Sequence, residues 1–228
     1  MNLIPGLPVR DGYAAWASLY DDDGNPLTAL EGPAMRAWFG PLEGRRAIDV
    51  GCGTGRHTQA LIERGAERVV ALDLTPEMIA GARSKPAFRD APVHWVRHAL
   101  PAPLPFRDGT FDLAVLGLVA EHIAELDRSL AEVARVLVPG GRCVLSALHP
   151  ERSAEGQSAR YIDPETGERR AIFAVHRETD DYLEAARAAG LRLLGEDTLV
   201  VPAELAERLP RAARYVGMRL GWVGCWTR

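Results

Sequence analysis

Ala47-Ile-Asp-Val-Gly-Cys-Gly-Thr-Gly-Arg56 sets an acid, Asp49, and three glycines, Gly51, Gly53 and Gly55, at alternate positions behind a short apolar run. Ala47, Ile48 and Val50 end a buried strand, the glycines let the backbone turn sharply, and residues 54–64 open a helical pattern. Bare main chain at such a turn is open to a nucleoside. A dinucleotide fingerprint needs glycines at the first, third and sixth positions; counting from Gly51 the sixth is Arg56, so the third glycine comes one residue early. Asp73 ends the next apolar run, Arg68-Val-Val-Ala-Leu72, where a neighbouring strand's carboxylate meets a ligand in an open sheet and can accept from both hydroxyls of a ribose. Its other use is as a helix cap, for which Thr75, directly before Pro76, is better placed.

The elements that hold these residues alternate. Strands are expected at 46–50, 68–72, 93–97, 111–116 and 142–148, with helical patterns at 56–64, 76–83 and 123–137. That order gives a parallel, doubly wound α/β sheet. Pro139-Gly140-Gly141 stops the long helix ahead of the fifth strand. Residues 151–170 are polar, contain Gly156, Pro164 and Gly167, show neither period, and read as an inserted cap. Helical periodicity returns at 180–189, and apolar stretches follow at 191–201 and 215–226. The first forty residues read as a helical flap carrying Tyr13, Trp16, Tyr20, Trp38 and Phe39. The expected division is a lid over 1–40, a ligand-binding core over 41–150, a cap over 151–178, and a helix with two strands over 179–228 that completes the core.

With 228 residues, 47% hydrophobic and 25% charged, the chain suits one large globular domain. Cys52, Cys143 and Cys225 stand too far apart for a disulfide framework or a thiolate zinc site. No metal site is expected either at Asp21-Asp-Asp23, because adjacent aspartates point in different directions. Residues 1–19 lack the apolar core of a secretion signal and no run approaches the roughly 18 apolar residues of a membrane span, so a reducing cytoplasm is the expected location. A net charge of −4 argues against nucleic acid, and Arg208, Arg211, Arg214 and Arg219 read as a solvated face. Lys85 is the only lysine, which argues against a lysine base or Schiff base.

Asp49-Val-Gly-Cys-Gly-Thr-Gly55, Asp73, and Phe111-Asp-Leu-Ala-Val115 followed by Glu121-His122 resemble the class I S-adenosylmethionine-dependent methyltransferases, in particular the small type 11 group, over residues 40–150. The resemblance implies a Rossmann-like seven-stranded sheet with helices on both faces and the last strand inserted antiparallel between its neighbours. It also implies S-adenosylmethionine as cofactor and methyl transfer to an oxygen, nitrogen or carbon of a small-molecule acceptor. Gly51, Cys52 and Gly53 would carry the methionyl part, with Asp49 reaching its ammonium directly or through water. Asp73 would take the ribose, Leu74 and Met78 would pack on the adenine or ribose faces unless Met78 is core, and backbone at Leu116 and Gly117 would border the sulfonium. Relatives place an acid after the third strand for the adenine amino group. Here that register holds Ala99, flanked by His98 and Leu100, so adenine recognition rests on backbone groups or His98. A buried unpaired amino group would cost about 1–3 kcal/mol.

Methyl transfer expels a neutral thioether, which needs no acid. The protein is left with alignment, a contribution of roughly 7–11 kcal/mol, and with removal of a proton from an oxygen or nitrogen acceptor, about 10²–10⁴ in rate. A histidine suits the second task. His149, at the end of the fifth strand before Pro150, is the first candidate; His176, beyond the apolar run 171–175, is the second. His122, which in relatives closes over the cofactor, is also a candidate; each of the three is otherwise a structural histidine. Tyr13, Trp16 and Tyr20 share one helical face, which either packs as core or, like the N-terminal helix of relatives, covers the cofactor and lines the acceptor pocket. The alternatives are a nucleic-acid methyltransferase and a non-catalytic S-adenosylmethionine-binding protein. A nicotinamide-dependent oxidoreductase is opposed by Arg56 and by the lack of a Tyr-x-x-x-Lys pair. Trp222, Val223 and Trp226 form either an exposed dimer edge or an antiparallel core strand, which leaves monomer and homodimer both open.

Overall fold

The computed structural model describes residues 2–22 and 24–228; Met1 and Asp23 of the aspartate run lie outside the described residues. In chain order the strands are β1 (Asn2–Ile4), β2 (Arg46–Val50), β3 (Arg68–Asp73), β4 (Val93–Arg97), β5 (Phe111–Gly117), β6 (Leu137–Leu148), β7 (Arg160–Ile162), β8 (Arg169–Ala171), β9 (Ala174–His176), β10 (Arg192–Val200) and β11 (Arg219–Thr227). The helices are α1 (Val9–Trp16), α2 (Pro26–Trp38), α3 (Arg56–Glu63), α4 (Pro76–Arg83), α5 (Leu126–Val136), α6 (Pro150–Ala154), α7 (Thr179–Ala188) and α8 (Ala203–Arg208).

Seven strands form one sheet in the order β10-β11-β6-β5-β2-β3-β4, with β11 antiparallel to both neighbours. The strands after β2 step away on one side and β5 and β6 on the other, so the order reverses between β2 and β5. A crevice at such a reversal is where open α/β sheets take their ligands. Alternation splits the strand residues between two faces. Ile48, Val50, Val70 and Leu72 join a core with α5, α7, Trp222 and Trp226, whereas Ala47, Val69 and Leu113 meet Met35 and Phe39 of the α2 segment and Leu61 of α3. Burial on both faces explains why β11 reads as one apolar run: all but its two end residues are buried. Trp222 and Trp226 are therefore core, and the sheet edge on their side is β10, whose Glu196 and Asp197 are exposed.

Several boundaries differ from expectation. The helix expected over 123–137 is shorter, α5, and is preceded by a separate turn, Ala120–His122. Leu137 already pairs with Phe111, so β6 begins before the Pro-Gly-Gly segment. Trp38 and Phe39 are not part of a flap: α2 lies on the sheet, where Phe39 is buried and the Trp38 indole donates to Asp197 at 2.7 Å. The covering layer is instead α1, the turn Tyr20–Asp22, and the cap. β7 and β8 make a hairpin, and β9 pairs antiparallel with β1, Ile4 against Ala174.

Candidate active site

Three glycines in left-handed backbone conformations, Gly51 (φ +73°), Gly53 (φ +54°) and Gly55 (φ +86°), turn the chain from β2 into α3. A Cβ on Gly51 would lie 2.5 Å from the Val119 side chain, whereas one on Gly53 would meet nothing within 4 Å, so Gly53 shows open backbone. Gly53 N–H donates to Asp73 Oδ2 and Thr75 N–H to Asp73 Oδ1, each at 2.8 Å. Thr75 stands at the N-cap of α4, but its hydroxyl makes no cap hydrogen bond; Asp73 instead holds its N–H. Each carboxylate oxygen keeps a lone pair for a further donor. Burial raises the Asp73 pKa while the donors from Thr75 and Gly53 oppose the rise.

A cavity of about 740 Å³ opens here, lined by Gly51, Gly53, Asp73, Leu74, Met78, His98, Leu100 and Gly117. The other four residues expected at the cofactor are not on its lining. Leu116 alternates with Gly117 and faces the core; Cys52 is buried; Ala99 is off the wall. Asp49 points to the same face as Ala47, where its Oδ2 accepts from the Thr58 hydroxyl at 2.6 Å; its Oδ1 is buried without a partner. Burial holds the Asp49 carboxyl above its ordinary pKa.

Beneath Gly117 lies a buried charge cluster that the sequence did not disclose. Glu31 of α2 is fully buried, accepts from Arg56 Nη1 at 2.5 Å and the Ser146 hydroxyl at 2.6 Å, and sits 3.0 Å from His57 Nε2. Burial pushes its pKa up, but His57 and Arg56 outweigh that and hold it at about 2. Arg56, at the position a dinucleotide motif gives to glycine, is thus an anchor, and a Cβ on Gly117 would collide with His57.

The roof is built from α1 and the Ala120–His122 turn. Tyr13 O–H lies 2.9 Å from His122 Nε2, and His122 Nδ1 lies 2.7 Å from the Phe173 carbonyl oxygen. That carbonyl only accepts, so Nδ1 carries the proton and Nε2 accepts from Tyr13. Burial lowers the His122 pKa to about 4, in keeping with a neutral ring, and raises that of Tyr13 well above its ordinary value.

A second cavity, about 800 Å³, shares Tyr13, Tyr20 and Leu118 with the first. The Tyr13-Trp16-Tyr20 stripe lies along its wall. Tyr13 and Trp16 stack with ring centroids 5.9 Å apart, and Trp16 stacks in turn on Tyr161 of the cap. Glu121 also lines it, only 8% exposed, with Oε2 unpartnered and a pKa pushed by burial to about 7. No role for Glu121 was visible in the sequence, where an acid at a helix start looks like a solvated one.

The other two candidate histidines lie outside both cavities. His149 is the N-cap of α6, its Nδ1 accepting from Glu151 N–H at 3.3 Å. His176 lies between the Ser153 hydroxyl at 2.6 Å and Glu178 at 3.1 Å. Among the described residues no group of three or more His, Cys, Asp or Glu side chains is placed to hold a metal, and no helix is long and apolar enough to cross a membrane.

Residues 48–145 match the family model described as a methyltransferase domain. The chain is 39% identical over 108 residues to a demethylmenaquinone methyltransferase from Thermus thermophilus, covering 46% of this chain and 48% of that protein. It is 34% identical over 115 residues to a ubiquinone/menaquinone biosynthesis C-methyltransferase from Dinoroseobacter shibae, covering 49% of this chain and 46% of that protein. The chain thus spans about half the length of these curated relatives. A solved S-adenosylmethionine-dependent methyltransferase from Mesorhizobium loti superposes with a TM-score of 0.74 at 27% identity, covering 90% of this chain and all of the other.

Proposed function

We propose that this chain is a class I S-adenosylmethionine-dependent methyltransferase that transfers a methyl group from S-adenosylmethionine in the first cavity to a small aromatic acceptor in the second. The observation that carries the reading is the wall shared by the two cavities, Tyr13, Tyr20 and Leu118. A donor on one side and an acceptor on the other meet there, which is the alignment an in-line displacement needs.

The residues suit the cofactor. Open backbone at Gly53 takes the methionyl chain, the free lone pairs of Asp73 take the ribose hydroxyls, and Met78 and Leu100 border the adenine slot beside His98. Asp49 Oδ1, buried and unpartnered, is left for the ammonium through a bridging water. The bound cofactor supplies an electrophilic methyl on a sulfonium. This chain's own part is to exclude water under α1, hold the acceptor ring against Tyr13, Trp16 and Tyr20, and receive its proton. Of the groups lining the second cavity, Glu121 is the proton acceptor we assign, because its Oε2 has no hydrogen-bond partner. His122 acts by holding Tyr13 in place. The relatives' names point to quinone biosynthesis, in one case to methylation at carbon, and an aromatic acceptor agrees with the aromatic wall. Three buried free cysteines suit a reducing cytoplasm.

The test is calorimetry with S-adenosylmethionine and its demethylated product, followed by a screen for methylated acceptors. Both ligands are expected to bind; a folded protein that binds neither overturns the reading.

A further inference from the structure

The second cavity opens into a bowl of about 930 Å³, formed where the β7–β8 hairpin faces the turn Pro210–Tyr215. Arg160, Arg211, Arg214 and Tyr215 line both, and Arg169 joins them in the bowl. Among the described residues no Asp or Glu lines the bowl. Neighbouring arginines do have carboxylates: Arg170 pairs with Glu168 and Arg219 with Glu151. Arg160 instead donates to the neutral Gln157 amide at 3.1 Å, and the Arg214 guanidinium lies 4.7 Å above the Tyr215 ring. The arginine run that reads as a solvated face is therefore divided: Arg219 is paired outside, whereas Arg214 turns to the cavity.

Guanidinium groups gathered at one mouth repel one another until an anion enters, and their planar forks suit carboxylate or phosphate. In a protein whose net charge is −4 this local excess of cations is the exception. At the inner end stands Glu121, which repels an anion and accepts from a hydroxyl.

We propose that the acceptor carries an acidic group, carboxylate or phosphate, held at the mouth by Arg160, Arg169 and Arg214, while a hydroxyl-bearing ring points inward to Tyr13 and Glu121. The proposal rests on the methyltransferase reading and narrows its substrate class. Repulsion at one end and attraction at the other fix the direction in which the molecule enters.

The experiment uses the full chain saturated with S-adenosylhomocysteine, titrated calorimetrically with 4-hydroxybenzoate, 4-hydroxycinnamate, 4-hydroxyphenyl phosphate and the two corresponding amides. The acids should bind at least about tenfold more tightly than the amides, a margin that shrinks with added salt. The carboxylate and phosphate arms identify which anion is preferred. The double variant Arg160→Gln/Arg214→Gln should abolish the preference and leave S-adenosylhomocysteine affinity unchanged. Equal affinity for acids and amides, or no binding of either, overturns the proposal, as does tight binding of a single-stranded oligonucleotide that the double variant loses. Failure of S-adenosylhomocysteine itself to bind strikes the underlying methyltransferase reading instead.

Discussion

The Tyr13 hydroxyl donates to His122 Nε2 across 2.9 Å, and the same imidazole donates from Nδ1 to the Phe173 carbonyl at 2.7 Å, so one neutral ring joins the lid helix to the cap. The joint lies over the cavity that holds Gly53 and Asp73.

Tyr13→Phe keeps the ring and removes the donor. Loss of one buried hydrogen bond of about 1 kcal/mol should lower the melting temperature by about 2–4 °C and weaken S-adenosylmethionine binding roughly three- to tenfold by calorimetry. An unchanged affinity would separate the roof from the cofactor.

The joint also has a pH signature. The folded pKa of His122, about 4, lies below the unfolded value of about 6.5, so its contribution is complete above the unfolded value and is lost as pH falls toward the folded one. Between pH 7 and 4 the wild type should lose up to about 3 kcal/mol that a His122→Asn variant does not lose, measured by denaturant titration at each pH.

Asp73→Ala removes the acceptor of two main-chain donors and, on the proposed reading, of the ribose. Cofactor affinity should fall about 10²-fold in the calorimeter, and Asp73→Glu should not restore it, because the Gly53 and Thr75 N–H groups fix the carboxylate's position at 2.8 Å.

Glu121→Gln tests the assigned proton acceptor. With a folded pKa near 7, turnover should rise with pH about that value in the wild type, and the variant should be slower by about 10²–10³ with the limb flattened. The sign for stability is opposite. A carboxyl raised from an unfolded value near 4.5 loses stability as pH rises from there to 7, so Glu121→Gln should be the more stable protein at pH 8, by about 2–3 kcal/mol at most.

Glu31→Gln leaves Arg56 and His57 beside a neutral group. Breaking a buried ion pair costs about 3–5 kcal/mol, and chemical denaturation should report a loss of that order. In the wild type this contribution is present above the unfolded carboxyl pKa and disappears as pH falls through the folded value of about 2.

The sheet was legible because its strands are short apolar runs bounded by helical periods, and Asp73 because a carboxylate ending such a run has few structural uses. Its partner Gly53 followed from spacing alone. Glu31 was hidden: a lone acid within an amphipathic helix reads as exposed, and only packing brings it against Arg56 and His57, 25 and 26 residues away. β1 and β9 have three residues each, too few for a period, and their pairing spans most of the chain. His149 was read correctly as a strand-end residue, yet the N-cap of α6 turns its ring to Glu151 and away from both cavities. The arginine bowl needed the hairpin and the 210–215 turn to be brought face to face, which no local pattern encodes.

The pairing of β1 with β9, continued by the bridge from Leu7 to Ile172, makes the covering layer a single body although its halves lie some 170 residues apart in sequence. On the proposed reading, both chambers would then open by one motion rather than two, and the methylated product and the spent nucleoside would leave together. Tethering α1 to the cap would leave that cycle running, while tethering α1 to α4 would arrest it with both molecules inside.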